Sequence, residues 1–506
     1  MVNNIIFDND KYLKEQTEYI LERAAKYDNK LYLEFGGKLL YDYHAARVLP
    51  GYDPNVKIRL LQNLKKKADI ILCIYADDIE KRKVRGDFGI TYDVDAFKMI
   101  DNLKEWGIAV TAVVITRYND QPATNVFKKK LERQNIKVYT HRYTKGYPAN
   151  LDLVVSDDGY GANDYIQTTC PIVIVTGPGP GSGKLATCLS QLYHDHKRGN
   201  QSGYAKFETF PIWNIPVNHP VNLAYEAATA DLLDFNLIDP HHLEAYNEKA
   251  INYNRDVESF PILKKILQRI QGKEIMYKSP TDMGVNRAGF SIINDEKVRE
   301  AAKQEIIRRY FRHTTEYIVG ICDKKSIDKL QMLMEILDLT PEDRPVVLPA
   351  RQAAIDCEKK NKGNHGIYCG AAIQLKDGTI VTGKNSKTIH VASSVILNAI
   401  KLLAGIPDNI HLLSPQVLES INALKSEIFT SKTVNLNLNE TLIALSICAA
   451  SNPSAQVALE KLQELKNCEM HTTHIPTAGD EAGLRKLGIN VTSDPNFSTK
   501  GLFPLD

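Results

Sequence analysis

Between Leu31 and about Asp234, short runs of apolar, β-branched residues alternate with longer stretches whose apolar positions recur every three or four residues. That alternation is expected of βαβ units feeding a mostly parallel sheet. The runs predict strands at Leu31 to Glu34, Ile70 to Tyr75, Ala109 to Thr116, Val138 to Tyr143, Leu153 to Ser156 and Ile172 to Thr176. Between them Val94, Phe97, Ile100 and Leu103 share one face and predict a helix from Asp93 to Trp106, ended by Gly107. In such a sheet the ligand crevice lies beyond the carboxyl ends of the strands, so the polar residues right after each strand are where chemistry is expected.

After Ile238 the strand pattern fades. Asn294 is the expected N-cap of a charged helix from Asp295 to Arg312, with Val298, Ala301, Ala302 and Ile306 on one side. From about Gly366 β-rich runs return, Ile367 to Leu375 and Thr379 to Thr382 around a Lys-Asp-Gly hairpin turn. Helices from Ser393 to Leu403 and Asn439 to Ala450 follow. The fold class expected is α/β: a doubly wound, mostly parallel sheet with a P-loop-like turn in 1–235, a helical middle region in 236–345, and a C-terminal α/β or α+β domain in 346–506. No repeat of fixed period and no low-complexity linker marks these boundaries.

Composition narrows the function classes. The chain has 506 residues, and 63 Lys+Arg against 61 Asp+Glu leave a formal charge of +2, so neither a nucleic acid nor an anionic membrane is an expected partner. The opening residues lack the basic and apolar segments of an export signal, and apolar stretches such as Ile70 to Ala76 fall far below the roughly 18 residues of a membrane span. Eight cysteines are scattered without a CxxC pair, as expected of reduced core residues in a cytoplasmic protein.

The strongest chemical signal is the buried-strand run Pro171 to Thr176, which turns through Gly177-Pro-Gly179-Pro-Gly181-Ser182-Gly183-Lys184 into an amphipathic stretch. Glycines let backbone N–H groups converge on an anion, a helix N-terminus adds partial positive charge, and a lysine adds a mobile point charge. The spacing departs from GxxxxGK[ST]: Gly177 is one residue too far from Lys184, and Leu185 stands where a hydroxyl would hold Mg²⁺. Leu185, Cys188, Leu189 and Leu192 instead read as the core face of the following helix, with Thr187 the nearest hydroxyl. The expectation is a cradle for a nucleotide or phosphate, formed by Gly177, Gly179, Gly181, Ser182, Gly183, Lys184 and Thr187, without ordinary P-loop hydrolysis.

Carboxylates after strands supply candidate Mg²⁺ ligands: Asp77 and Asp78 after the strand ending at Tyr75, Asp157 and Asp158 after the run ending at Ser156. Helix capping or turn formation is the competing reading of both pairs. The run Lys81 to Arg85 adds positive charge beside the first. Glu34, Lys38, Asp42, His44 and Arg47 crowd the segment after the first strand. His471 and His474, near Cys468, are weak metal candidates, because on a strand they point to opposite faces.

Together with Tyr32 to Lys38, Tyr43 to Tyr52, Ser279 to Asn286 and His471 to Pro476, the glycine loop makes the sequence resemble the bacterial domain-of-unknown-function family 1846 over essentially the whole chain. The resemblance implies a multi-domain bacterial cytosolic protein. Some members carry the label of ATP-dependent peptidase, but neither HExxH nor GxSxG occurs here, and no catalytic residue transfers. A segment around Gly370 to Asn385 looks like the opening of cytidine deaminases, yet the zinc ligands and PCxxC pair of that chemistry are missing.

The function expected is that of an enzyme that holds a small phosphorylated ligand on Gly177–Lys184 and catalyses group transfer or ligation. Lys184 would be the electrostatic stabiliser, and Asp77 or Asp157 the metal ligand. The alternatives are a non-catalytic nucleotide or metabolite sensor and a metal-dependent hydrolase using His471 and His474. Self-association into a homo-oligomer is also expected.

Overall fold

The computed structural model of the chain describes residues 5–27, 30–64, 67–85, 89–272, 274–431 and 433–498. The chain forms two compact units, 1–303 and 304–506, divided within the helix Asp295–Ile318. The region expected as a helical middle is therefore shared between them. Besides helices it holds a short antiparallel pair, Asn236–Ile238 with Ile251–Tyr253.

The first unit is built on a six-stranded, all-parallel sheet of β1 (Leu31–Phe35), β2 (Ala68–Tyr75), β3 (Ala112–Thr116), β4 (Val138–His141), β5 (Ile172–Thr176) and β6 (Gly203–Phe207). Its spatial order is β4-β3-β2-β5-β1-β6. Parallel strands covered on both faces need apolar side chains on both, and β1, β3 and β5 are buried along their whole length. On one face Tyr32, Cys73, Val114, Val173 and Val175 pack on Cys188, Leu189 and Leu192 of helix Lys184–Lys197 and on Phe260, Leu263 and Leu267 of helix Asn254–Gln271.

The chain leaves β2 toward β3 and β4 on one side, and leaves β5 toward β6 on the other. The carboxyl ends of β2 and β5 thus flank the point where the winding reverses, the place an open α/β sheet offers to a ligand. The glycine loop follows β5, and Asp77 follows β2.

Two local expectations are corrected. The run Leu153 to Ser156 is not a strand: Asn150 accepts from the Leu153 N–H at 3.1 Å and caps a short helix, Leu151–Val154, in which only Val154 is buried. β6 had no counterpart in the apolar pattern, because it is an edge strand that carries Lys206.

The second unit has a four-stranded mixed sheet of β7 (Gly370–Gln374), β8 (Ile380–Lys384), β9 (Glu469–Thr472) and β10 (Asn490–Ser493), in the order β8-β7-β9-β10. Only β9 and β10 run parallel. The β7–β8 hairpin turns at Gly378, φ +90°, with Asp377 accepting from the Thr379 N–H at 3.0 Å. Helices Val391–Leu403, Leu438–Ala449 and Ala478–Lys486 cover one face. Among the described residues no helix is long and apolar enough to cross a membrane.

Candidate functional site

Close packing shapes the loop after β5. A Cβ at Gly177 would stand 2.5 Å from the Cys73 carbonyl oxygen, and one at Gly179 would stand 2.5 Å from the Tyr92 ring. Gly181 and Gly183 take left-handed backbone, φ +73° and +87°, and Gly183 is the N-cap of helix Lys184–Lys197. The Thr116 hydroxyl, at the end of β3, donates to the Ser182 carbonyl at 2.8 Å and fixes the loop from the sheet side. Ser182 is 2% exposed.

The decisive feature is where the backbone donors point. Among the described residues the amides of Gly179, Gly181, Ser182, Gly183 and Lys184 donate to no protein acceptor; the helix's first bond runs from Thr187 N–H to the Gly183 carbonyl. The Thr176 hydroxyl, buried at the end of β5, also has no partner. Lys184 Nζ bends over the loop, 3.4 Å from the Gly179 carbonyl and 3.5 Å from Ser182 Oγ. A helix terminus with free amides, an adjacent lysine and left-handed glycines is a ready anion site.

The other expected ligands separate. Thr187 is fully buried and its Oγ1 accepts from the Cys73 thiol at 3.4 Å, so it belongs to the core and not to the mouth of the loop. Burial pushes the Cys73 thiol up to about 12. Asp77 stands on the short helix Ala76–Glu80 at the β2 end, paired with Lys81 at 3.2 Å, while Asp78 is buried and paired with Lys83 at 3.5 Å. The side chain of Arg85 lies outside the described residues. Asp157 is not brought to the loop: its carboxylate takes the Tyr193 hydroxyl at 2.7 Å and Lys197 at 3.4 Å. Tyr193 lies nine positions after Lys184, about 14 Å along the axis, so Asp157 is held toward the far end of that helix and not at the loop.

The segment after β1 divides between structure and site. Asp42 caps helix Tyr43–Val48 and forms a buried pair with Lys57 at 2.9 Å; burial opposes its charge, but the lysine holds it below the usual carboxylate range. Glu34 instead accepts the Tyr204 hydroxyl at 2.8 Å and lines a cavity with Leu185, Tyr204, Lys206 and Asp256. Leu185 also packs on the core, as the helical pattern implied.

This cavity contains a group that motif reading missed. Lys206 Nζ lies 2.7 Å from Asp256 and 3.4 Å from Glu208, and bonds the Tyr253 hydroxyl. Burial disfavours its charge, yet the carboxylates of Asp256, Glu208 and Glu34 hold it above its ordinary value. Glu208 is raised by burial and by repulsion from Asp256 and Glu34, against the pull of Lys206. Gly36, whose Cβ would stand 2.2 Å from Glu208, leaves room for that side chain. Three carboxylates around one lysine, beside Leu185 at the start of the helix that follows the anion loop, form a partly buried acid–base cluster. Recognition of β6 as a strand would have exposed Glu208 by the strand-end rule.

His471 and His474 do not form a metal pair. His471 is buried on β9 against Phe311, with Nδ1 2.9 Å from Thr492 Oγ1, whereas His474 lies beyond the strand end with Nδ1 3.0 Å from Thr473 Oγ1. Among the described residues a tighter ligand group is His313, Glu316 and Cys322, within 4.8 Å of one another. Glu316 there is held by Arg312 at 2.7 Å, and the Cys322 thiol donates to the His313 carbonyl at 3.3 Å.

Substitutions at two glycines separate strain from packing. Gly183→Ala is expected to destabilise the chain by about 1–3 kcal/mol, through left-handed strain and a Cβ placed 2.7 Å from Thr116. Gly181→Ala meets nothing within 4 Å and is expected to lose only about 1 kcal/mol. Urea unfolding midpoints compare the two; equal losses would contradict the close packing.

The family described as "Domain of unknown function DUF1846, N-terminal" matches residues 5–338, and "Domain of unknown function DUF1846, C-terminal" matches residues 342–503. A UPF0371 protein of Clostridium botulinum (strain Alaska E43 / Type E3) is 57% identical over 497 residues, covering 98% of this chain and 99% of its own length. Those of C. botulinum (strain Langeland / NCTC 10281 / Type F) and Clostridium tetani (strain Massachusetts / E88) are 58% identical over 498 and 57% over 497 residues, with the same coverage. The chain therefore belongs to the DUF1846 family, along its N-terminal and C-terminal parts alike.

Proposed function

We propose that the protein is an enzyme that binds a small phosphorylated molecule or nucleotide on the loop Gly177–Lys184 and catalyses group transfer or ligation. The observation that carries this reading is the row of loop amides without a protein acceptor beneath Lys184 Nζ, at the winding reversal of the sheet. Preorganised donors of this kind stabilise charge on a transferred or departing phosphate without reorganising. The neighbouring cluster supplies the acid–base partner: Glu208, held above its ordinary carboxylate value, takes a proton from an acceptor group, while Lys206 and the Tyr253 hydroxyl orient it. Asp77, at the same strand-end edge, is the carboxylate left to bind Mg²⁺.

The core placement of Leu185 and Thr187 favours a second reading, binding without turnover, because no hydroxyl follows Lys184 to hold the metal. Phosphate release separates the two. The enzyme reading expects release with Mg²⁺ and a panel of nucleotides and sugar phosphates, and its loss in Glu208→Gln. Saturable binding of a member of that panel with no release would leave a sensor.

A further inference from the structure

We propose that the second unit holds its own small-molecule site, specific for a neutral ligand with an adjacent hydrogen-bond donor and acceptor, such as a carboxamide, lactam or nucleobase edge. The site is the cavity that Asn435, His390, His474 and Asn385 line with the apolar Ile367 and Pro476.

Asn435 is the anchor. It is 7% exposed, its Oδ1 is buried without a hydrogen-bond partner, and among the described residues neither end of its side-chain amide bonds to protein. Leaving a buried amide without partners is unfavourable, and a ligand matching both ends removes that penalty. An amide presents one donor and one acceptor side by side, and its complement is another such edge.

His390 adds a second polar atom with a fixed role. Its Nδ1 lies 2.7 Å from Asp480 Oδ2, and Asp480 itself accepts from the Leu438 N–H at 2.8 Å and the Thr477 hydroxyl at 2.9 Å. That arrangement places an imidazole proton on Nδ1, toward Asp480, and fixes the orientation of the ring at the cavity wall. Asn435 and His390 are neighbours through the backbone, because the His390 N–H donates to the Leu436 carbonyl at 2.9 Å. Burial pushes the pKa of His474 down, which keeps it neutral. Among the described residues no lysine or arginine lines the cavity, so its chemistry is the opposite of the anion loop.

The test titrates the full chain with benzamide, following the imidazole signal of His390 by NMR, assigned through its loss in His390→Gln. Benzamide offers the donor–acceptor edge; N,N-dimethylbenzamide keeps the ring and carbonyl without an N–H. A saturable shift with benzamide, at least tenfold weaker binding of the dimethyl compound, and at least tenfold weaker benzamide binding to Asn435→Ala are expected. Equal affinity of the unaltered chain for both compounds, no saturable shift with benzamide, or full affinity in a folded Asn435→Ala chain overturns the proposal. The two-compound comparison does not depend on Asn435→Ala and stands even where that variant fails to fold.

Discussion

Lys184→Ala is expected to weaken binding of a phosphorylated ligand about ten- to a hundredfold while leaving the fold intact. Nζ sits 3.4 Å from the Gly179 carbonyl and 3.5 Å from Ser182 Oγ, both long contacts that contribute little to stability. A charge-assisted bond to phosphate is worth about 1.5–3 kcal/mol, and the upper end of that range is roughly a hundredfold in affinity. Titration calorimetry across nucleotides and sugar phosphates reads the loss against the unaltered chain. Affinity unchanged for every ligand that binds would remove Lys184 from the site.

Lys206→Met is expected to act on stability instead. It leaves the partly buried Asp256 and Glu208 without their counter-charge, and solvent at these groups reduces the cost of breaking the pair from one side to about 2–3 kcal/mol. The pH dependence follows from Glu208, whose folded pKa lies above its ordinary value. A carboxyl raised on folding contributes stability that is full below its unfolded pKa and is lost as pH rises through the folded one. Removing Lys206 raises Glu208 further, so the deficit of the variant is expected to be smallest in acid and to grow as pH rises through its elevated range. Urea unfolding at several pH values measures it, and Glu208→Gln in the Lys206→Met background is expected to restore part of the loss. A deficit under about 1 kcal/mol, flat with pH, would contradict the cluster's electrostatics.

Much of the first unit was legible because a parallel sheet buried on both faces writes its strands as unbroken apolar runs, as in Ile172–Thr176 and Ala112–Thr116. The same rule misled at Leu153 to Ser156, where composition suits a strand but the Asn150 side chain captures the backbone for a helical turn. It was silent at Gly203–Phe207, whose charged Lys206 is tolerated only because Asp256, far along the chain, reaches it. The anion loop was readable for a related reason: its donors, glycines and lysine are contiguous. The acid–base cluster draws on Glu34, Lys206, Glu208 and Asp256, and the His390–Asp480 pair spans ninety residues, so no local spacing reports either. Asp157 failed as a ligand through tertiary placement alone, being carried to the far end of the helix that begins at Lys184.

Amide NMR of the chain, titrated with inorganic pyrophosphate, asks most directly whether the loop receives an oxyanion. Saturable shifts confined to the N–H signals of Gly179, Gly181, Ser182, Gly183 and Lys184 are expected. Those five signals staying fixed at saturating pyrophosphate, or shifting only as much as amides elsewhere on the sheet, would contradict the anion cradle on which the functional reading rests.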